Sequence, residues 1–368
     1  MTVPVQTVWP IEPHTAAKHE LLRHYLAAWF PILASREARI IFLDGFAGPG
    51  IYSDGSPGSP VIALRTLLNH SAFPRYRRCE FIFHFIEKDP SRLDRLQTEL
   101  QQFDPVPSNV KVATHPGEFQ DVIEEVSTSL SSRNRRLAPT LAFVDPFGVS
   151  GVPMDLISRF LDSNKCELFL ILMANHLNRF LSAEHMRSSR DSLFGTNDFS
   201  EIESAPSGER EPLLVDLYKA QLRDVARFQY ALDFEMRRVN GTVAYYVVYA
   251  TRSLTGVEKF KDAMWKVDPS TGSYFSDRNW NQGSLLTGSN VELSQLQQRL
   301  GDEFGGQDVS IERLEEFTLV DTPFRKPHVR SALKSMEGSG RIVVARPTGS
   351  RSGFRQGTQV RFNETLGI

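Results

Sequence analysis

From residue 39 onward the chain repeats one pattern: a short uninterrupted apolar run, then a segment with apolar residues at helical spacing. The pairs are "RIIFLDGF" with "SPVIALRTLLNH", "EFIFHFIEKD" with "PSRLDRLQTELQQF", "NVKVATHPGE" with "FQDVIEEVSTSL", and "TLAFVDPFG" with "PMDLISRFLDS"; "CELFLILM" follows. Runs that are apolar on both faces need cover on both faces, which a parallel sheet flanked by helices provides. A helix, "PHTAAKHELLRHYLAAWFPIL", precedes them, with Thr15 as its expected N-cap.

The alternation then breaks. Residues 181–212 read as polar and irregular, a candidate lid, before a helix "EPLLVDLYKAQLRDVA". Next, "DFEMRRVNGTVAYYVVYATRS" holds two strand patterns joined by Asn240-Gly241, a strong hairpin signal. A parallel sheet closed by an antiparallel hairpin is the methyltransferase version of the Rossmann-like fold. The stretch "DRNWNQGSLLTGSN" reads as a linker. Beyond it, helices near "VELSQLQQRLGDEF", "SIERLEEF" and "KPHVRSALKSMEG" precede strands "RIVVAR" and "TQVRFN", a winged-helix pattern with a two-stranded ribbon. The expected domains are 1–282, α/β, and 283–368, winged helix.

The formal net charge of −2 argues neither for nor against a nucleic-acid partner. Two cysteines, Cys79 and Cys166, lie far apart in apolar contexts, so no CxxC metal or redox site and no disulfide framework is read. No signal pattern and no apolar run of membrane-spanning length is present, and a reducing cytoplasm is the expected compartment.

Chemistry concentrates at four successive strand ends. In "LDGFAGPG", Gly45, Gly48 and Gly50, with Phe46 among them, would let the backbone lie against a nucleoside or amino-acid moiety, and Asp44 could accept from a cationic amino group. Glu87 ends the second strand, where an acid meets ribose hydroxyls, although its distance from Asp44 is more than twice the roughly 20 residues usual in dinucleotide enzymes. Glu118 in "THPGEF" could accept from an adenine amino group or serve as a first-turn helix acid. In "FVDPFG", the Asp145 carboxylate and the Pro146 carbonyl suit an exocyclic amine, and Phe147 suits stacking on a flat ring. Open α/β sheets bind ligands along this edge. On the first helix, His14, Lys18 and His19 read more readily as a solvated or satisfied face than as a cover over a cofactor carboxylate. Asn175 and Arg179 in "LMANHLNRF" are candidates for the substrate side.

The order "DGFAGPG", "FIEKD", "HPGEF", "DPFG" resembles the motifs of class I S-adenosylmethionine (SAM)-dependent methyltransferases. With "EPHTAAKHELLRHYLAAW", "DGFAGPGIYSDGSPGSP", "DPFGVSGVP" and "AMWKVDP", the chain more closely resembles the three-Cys-motif partner protein (TcmP) family over roughly residues 8–270. That resemblance implies a methyltransferase-like fold, SAM as cofactor, and a separate three-cysteine partner resembling a radical-SAM enzyme. "DPFG" is also similar to the tRNA guanine-N2 dimethyltransferases, whereas amino-methylating DNA enzymes usually carry a second proline where Phe147 stands.

From residue 321 the cations Arg325, Lys326, Arg330, Lys334, Arg341, Arg346, Arg351, Arg355 and Arg361 outnumber the acids Asp321, Glu337 and Glu364. "FRKPHVRSALKSM" reads as a recognition helix and "RPTGSRSGFRQG" as a wing reaching phosphates, Arg325, Lys326, Arg330, Arg351 and Arg355 being the expected contacts; the alternative is a winged helix used for protein contact, with its arginines solvated. The leading expectation is a SAM-dependent methyltransferase acting on nucleic acid at an exocyclic base amine. The alternative is a non-catalytic adaptor that brings the three-cysteine partner to nucleic acid. No carboxylate pair with a nearby lysine at nuclease spacing is found.

Overall fold

The computed structural model describes residues 6–148, 151–277, 292–349 and 352–363. By internal contacts the chain forms two units, residues 1–256 with 274–282 and residues 257–273 with 283–368.

In the first unit, β1 (Arg39–Asp44), β2 (Glu80–Glu87), β3 (Val110–Pro116), β4 (Thr140–Val144), β5 (Cys166–Leu172), β6 (Tyr230–Arg237), β7 (Val243–Thr251) and β8 (Tyr274–Ser276) form one sheet. Its order is β3-β2-β1-β4-β5-β7-β6-β8, and among these strands β7 alone runs against the rest. Phe42 of β1 sits in register with Phe83 of β2 and Leu141 of β4. The chain therefore builds outward from β1 to β3, then returns to β1's other side to add β4. This reversal leaves a crevice at the carboxyl ends of β1 and β4. Every residue of β5 is buried, five apolar residues running from Leu168 to Leu172 and Glu167 among them satisfied by hydrogen bonds.

Helices cover the sheet: α1 (Pro13–Ala34), α2 (Ser59–Leu68), α3 (Pro90–Leu100), α4 (Phe119–Ser132), α5 (Met154–Phe160), α6 (Ala174–Arg179), α7 (Glu184–Phe194), α8 (Ser200–Ser204) and α9 (Arg210–Asp224); α10 (Leu254–Val267) begins in this unit and continues into the second. Proline in the first turn of α3 and the Asp89 side chain, which accepts from the Arg92 amide at 3.0 Å, fix that helix's start. α1 starts earlier than expected. Pro13 occupies its first turn, the amides of Thr15 and Ala16 both donate to the Glu12 carbonyl, and Glu12 rather than Thr15 is the N-cap. Tyr25 of α1 donates to buried Glu167 of β5 at 2.7 Å, and Thr251 donates to its other oxygen at 3.0 Å. Burial raises the Glu167 carboxyl's pKa, and these hydrogen bonds act against the rise.

Residues 181–212 are not irregular. They fold into α7, α8 and the start of α9, and Leu193, Phe194, Phe199 and Ile202 join the core. Arg190, a charged residue of this stretch, is buried among them: its guanidinium donates to the Leu181 carbonyl at 2.6 Å and lies 4.0 Å from the Phe199 ring centre.

In the second unit, α11 (Ser294–Phe304), β9 (Asp308–Ser310), α12 (Ile311–Asp321), α13 (Lys326–Gly338), β10 (Ile342–Ala345) and β11 (Gln359–Phe362) follow in winged-helix order. The expected ribbon has a third strand, giving β10-β11-β9, all antiparallel. Leu296, Leu300, Leu314, Val329, Leu333 and Val360 form its core together with Trp265. Lys261 is buried and donates to the carbonyls of Thr318, Thr322 and Phe324 around the end of α12, where exposed carbonyls and the helix dipole favour a cation.

Candidate active site

A cavity of about 450 Å³ opens at the carboxyl ends of β1, β4 and β5. Its size falls within the roughly 300–1,000 Å³ of small-molecule sites. Phe46, Gly48, Gly50 and Tyr52 line it from the β1 loop, and Asp145, Pro146 and Phe147 from the β4 loop. Ile171, Met173 and Tyr245 complete the walls, and Trp9, Thr15, Lys18 and His19 form a cover from the amino-terminal side.

The glycines have separable reasons. Gly48 and Gly50 have φ of +61° and +75°, where a side chain strains the backbone. Gly58 donates to the Gly50 carbonyl at 2.8 Å, and a Cβ on Gly58 would lie 2.9 Å from the Gly50 carbonyl carbon. The loop thus folds back on itself before α2. Gly45 answers to packing instead: a Cβ there would lie 2.5 Å from the Phe119 ring. Phe46 stacks on Phe119 at a centroid distance of 5.6 Å.

Asp44 is fully buried, and burial pushes its carboxyl up to about 7, with Ser59 and the Phe46 amide acting the other way. Its Oδ1 accepts from that amide at 3.1 Å, while Oδ2 has no hydrogen-bond partner among the described residues. Glu87 is buried, its Oε2 accepting from the Gly48 amide at 2.9 Å and its Oε1 from the Asp89 amide at 2.8 Å. Glu118 stands apart, exposed at the start of α4, paired with Lys88 at 3.1 Å and outside the cavity lining.

Asp145 reaches the cavity with its side chain 25% exposed and forms an ion pair with Lys18 of α1. Phe147 meets Trp9 edge to face at 5.9 Å, and the Arg92 guanidinium lies over both rings, 5.0 Å from Trp9 and 5.6 Å from Phe147. The Trp9 carbonyl accepts from the Ser53 amide at 3.0 Å, strapping the segment before α1 across the glycine loop. His14, Lys18 and His19 are all buried, so of the two forms of the expected face, solvated or satisfied, the solvated one is excluded; His14 Nδ1 meets Asp277 at 3.1 Å and Lys18 meets Asp145. Burial, with Lys18 adding, lowers the His19 pKa well below the ordinary value, so its imidazole is neutral. Asn175 donates to the Val243 carbonyl at 3.0 Å, and neither it nor Arg179 lines the cavity. Trp9 and Tyr245 carried no motif and are brought in by the fold alone, and Tyr52, inside the quoted glycine-rich stretch, was not singled out there. No group of three metal-ligating side chains occurs among the described residues.

In the winged-helix unit most of the expected phosphate contacts are already paired. Arg325 meets Asp262 at 3.3 Å, Lys326 meets Glu258 at 2.6 Å, and Arg330 meets Glu315 at 2.7 Å. Arg346 and Arg361 likewise face Glu337 and Asp308. Lys334 and Arg355 are exposed with no ion-pair partner among the described residues, and Arg351 lies outside the described residues. The acids that offset the basic end come mostly from α10, α12 and β9, upstream of the stretch whose charge the sequence emphasised.

The strand order and the crevice define a methyltransferase-like α/β unit, joined to a winged helix. Residues 275–349 match the model of the family described as "GMT-like wHTH domain". Among solved structures, the chain is similar to protein LPL1258 from Legionella pneumophila (12% identity, TM-score 0.36, covering 67% of this chain and 88% of that one). It is also similar to human methyltransferase-like protein 13 in complex with SAH (14%, 0.34, 70% and 92%). A third is precorrin-6y C5,15-methyltransferase from Geobacter metallireducens (10%, 0.27, 63% and 88%). These likenesses are distant, and the strand order itself carries the fold. No curated protein matches the chain. No helix among the described residues is long and apolar enough to cross a membrane.

Proposed function

We propose that the chain is a SAM-dependent methyltransferase that acts on nucleic acid at an exocyclic base amine. One observation carries this reading: Asp145, Pro146 and Phe147 face the positive-φ glycines Gly48 and Gly50 across a single covered cavity. The unpartnered Asp44 Oδ2 beneath the β1 loop fits the cofactor's amino group, and the glycine-loop amides fit close backbone approach. Glu87 keeps lone pairs for the ribose hydroxyls beside its two amide bonds, and Glu118 would have to turn from Lys88 to reach the adenine amino group. When bound, SAM supplies an electrophilic methyl group.

The chain's own part is alignment. The Asp145 Oδ1 and the Pro146 carbonyl would accept from the two N–H groups of the amine, turning its lone pair toward the donor. Phe147 would stack on the base, for which Trp9 must move aside from its present edge contact. A paired base would have to be flipped out. The winged-helix match and the exposed Lys334 and Arg355 support a nucleic-acid partner. The likeness to three-Cys-motif partner proteins supports a three-cysteine, radical-SAM-type partner as well, which co-purification would test.

The deciding experiment is titration calorimetry of SAH into the purified protein, followed by a labelled-methyl screen over RNA and DNA. Saturable binding and label in one nucleic acid are expected. A folded protein that binds no SAH overturns the reading and favours the adaptor.

A further inference from the structure

Lys18 and Asp145 are 127 residues apart in sequence yet form an ion pair inside the cavity. Lys18 is 4% exposed, and its ammonium also lies 5.5 Å from the centre of the Tyr245 ring. It holds the Asp145 Oδ2, leaving Oδ1 without a hydrogen-bond partner among the described residues. The other charged or titratable groups lining this wall are Glu12, whose side chain is 56% exposed, the neutral His19, and Tyr52 and Tyr245, whose hydroxyls burial beside Asp145 keeps protonated; Asp44 lies outside the lining, within electrostatic reach of Lys18 and Asp145. Without Lys18 the cavity would present the Asp145 carboxylate unpaired, with Glu12 at the same wall, a setting that selects ammonium ions. With it, the Asp145 carboxylate is already neutralised, and an incoming cation would meet the like charge of a buried ammonium.

We propose that Lys18 determines the acceptor class of this site: it fixes one oxygen of Asp145 and bars cationic amines from the other, so the acceptor is a neutral amine. Aromatic exocyclic amines are neutral at physiological pH, whereas aliphatic amines of lysine side chains or polyamines are cationic. The inference rests on reading the cavity as a methyltransferase site, and it adds the residue that sets its selectivity. A purely structural lysine, fastening α1 to the β4 loop, would leave that selectivity untouched.

The test needs no knowledge of the natural acceptor. Sinefungin resembles SAH but carries a primary amine where the transferable methyl group would sit, which places a cation beside Asp145. Calorimetry on the full chain compares the two ligands. Wild type is expected to bind sinefungin no more tightly than SAH. In Lys18→Met the ratio should shift toward sinefungin by at least about tenfold, and Asp145→Asn in that background should erase the gain. Lys18→Arg should behave as wild type. Lys18→Gln, which can still hydrogen-bond Asp145, serves if the methionine variant does not fold. An unchanged ratio in a Lys18 variant that still binds SAH overturns the proposal. A wild type that binds neither ligand overturns the methyltransferase reading itself, a separate outcome.

Discussion

Glu87 accepts the Gly48 amide at 2.9 Å, so one buried carboxylate at the end of β2 holds the backbone of the β1 loop in place. With the Asp89 amide on its other oxygen, the same side chain also fixes the turn into α3. Glu87→Gln would set an amide donor against one of these two donors, leaving a buried N–H unpaired at a cost of about 1–3 kcal/mol. We expect a lower Tm and SAH affinity reduced by about tenfold or more, measured by thermal denaturation and calorimetry. Unchanged values in both would show that the loop holds its shape without Glu87.

Gly45→Ala should destabilise the fold by about 1–3 kcal/mol, because the new methyl group must displace the Phe119 ring or the strand end. Urea unfolding reads the loss. Gly45→Ala with Phe119→Leu should recover part of it, since the clash is with that ring.

Asp44 gives a pH dependence of known sign. Its folded value of about 7 lies above the ordinary 3.8, so the unfolded chain ionises first as pH rises. The stability this group contributes is full below the unfolded value and is lost as pH climbs from about 4 to about 7. Denaturation at about pH 5 and about pH 8 should show that decline in wild type and a smaller one in Asp44→Asn. Binding of a ligand ammonium needs the ionised form. SAH affinity should therefore fall by up to about tenfold per unit below pH 7 in wild type and stay flat there in Asp44→Asn.

Asp145→Ala should abolish methyl transfer while SAH affinity stays within a few fold of wild type. Equal loss of both would place Asp145 among the cofactor contacts instead of the acceptor contacts.

On nucleic acid, the unpaired cations should matter more than the paired ones. Lys334→Ala and Arg355→Ala should each reduce the slope of log affinity against log salt by about one. Arg361→Ala, whose guanidinium already faces Asp308, should change it less. Fluorescence anisotropy across a salt series distinguishes these, and identical slopes in all three would remove the winged helix from the phosphate contacts.

The parallel sheet was legible because β1, β2, β4 and β5 are apolar on both faces, a pattern few other elements share. The hairpin was legible from Asn240-Gly241, and Gly241 does take φ of +84°. The cavity was half legible. Loop motifs after β1 and β4 mark their own positions, but Trp9 and Tyr245 sit in ordinary-looking pre-helix and strand sequence, and Lys18, weighed as a cover for the site, read more readily as part of a solvated or satisfied helix face. Only the crossing of α1 over the strand ends brings them together. Arg190 shows the opposite failure: a buried guanidinium set among the Leu181 carbonyl, the Asp191 and Glu203 carboxylates and the Phe199 ring reads as surface until its partners are known. The charge of the carboxyl-terminal region was misleading for a related reason, because its counter-ions lie on α10, α12 and β9.

The assignment of residues 257–273 to the second unit, with β8 returning to the first, has a consequence for inheritance. A cut after residue 282 would strip Trp265 and Lys261 from the winged-helix core, and a cut after residue 256 would take β8 from the sheet. Neither half is a detachable cassette. A gene fusion or a proteolytic nick that treats them as one should yield two damaged pieces, and recombination between relatives is expected to exchange the pair together.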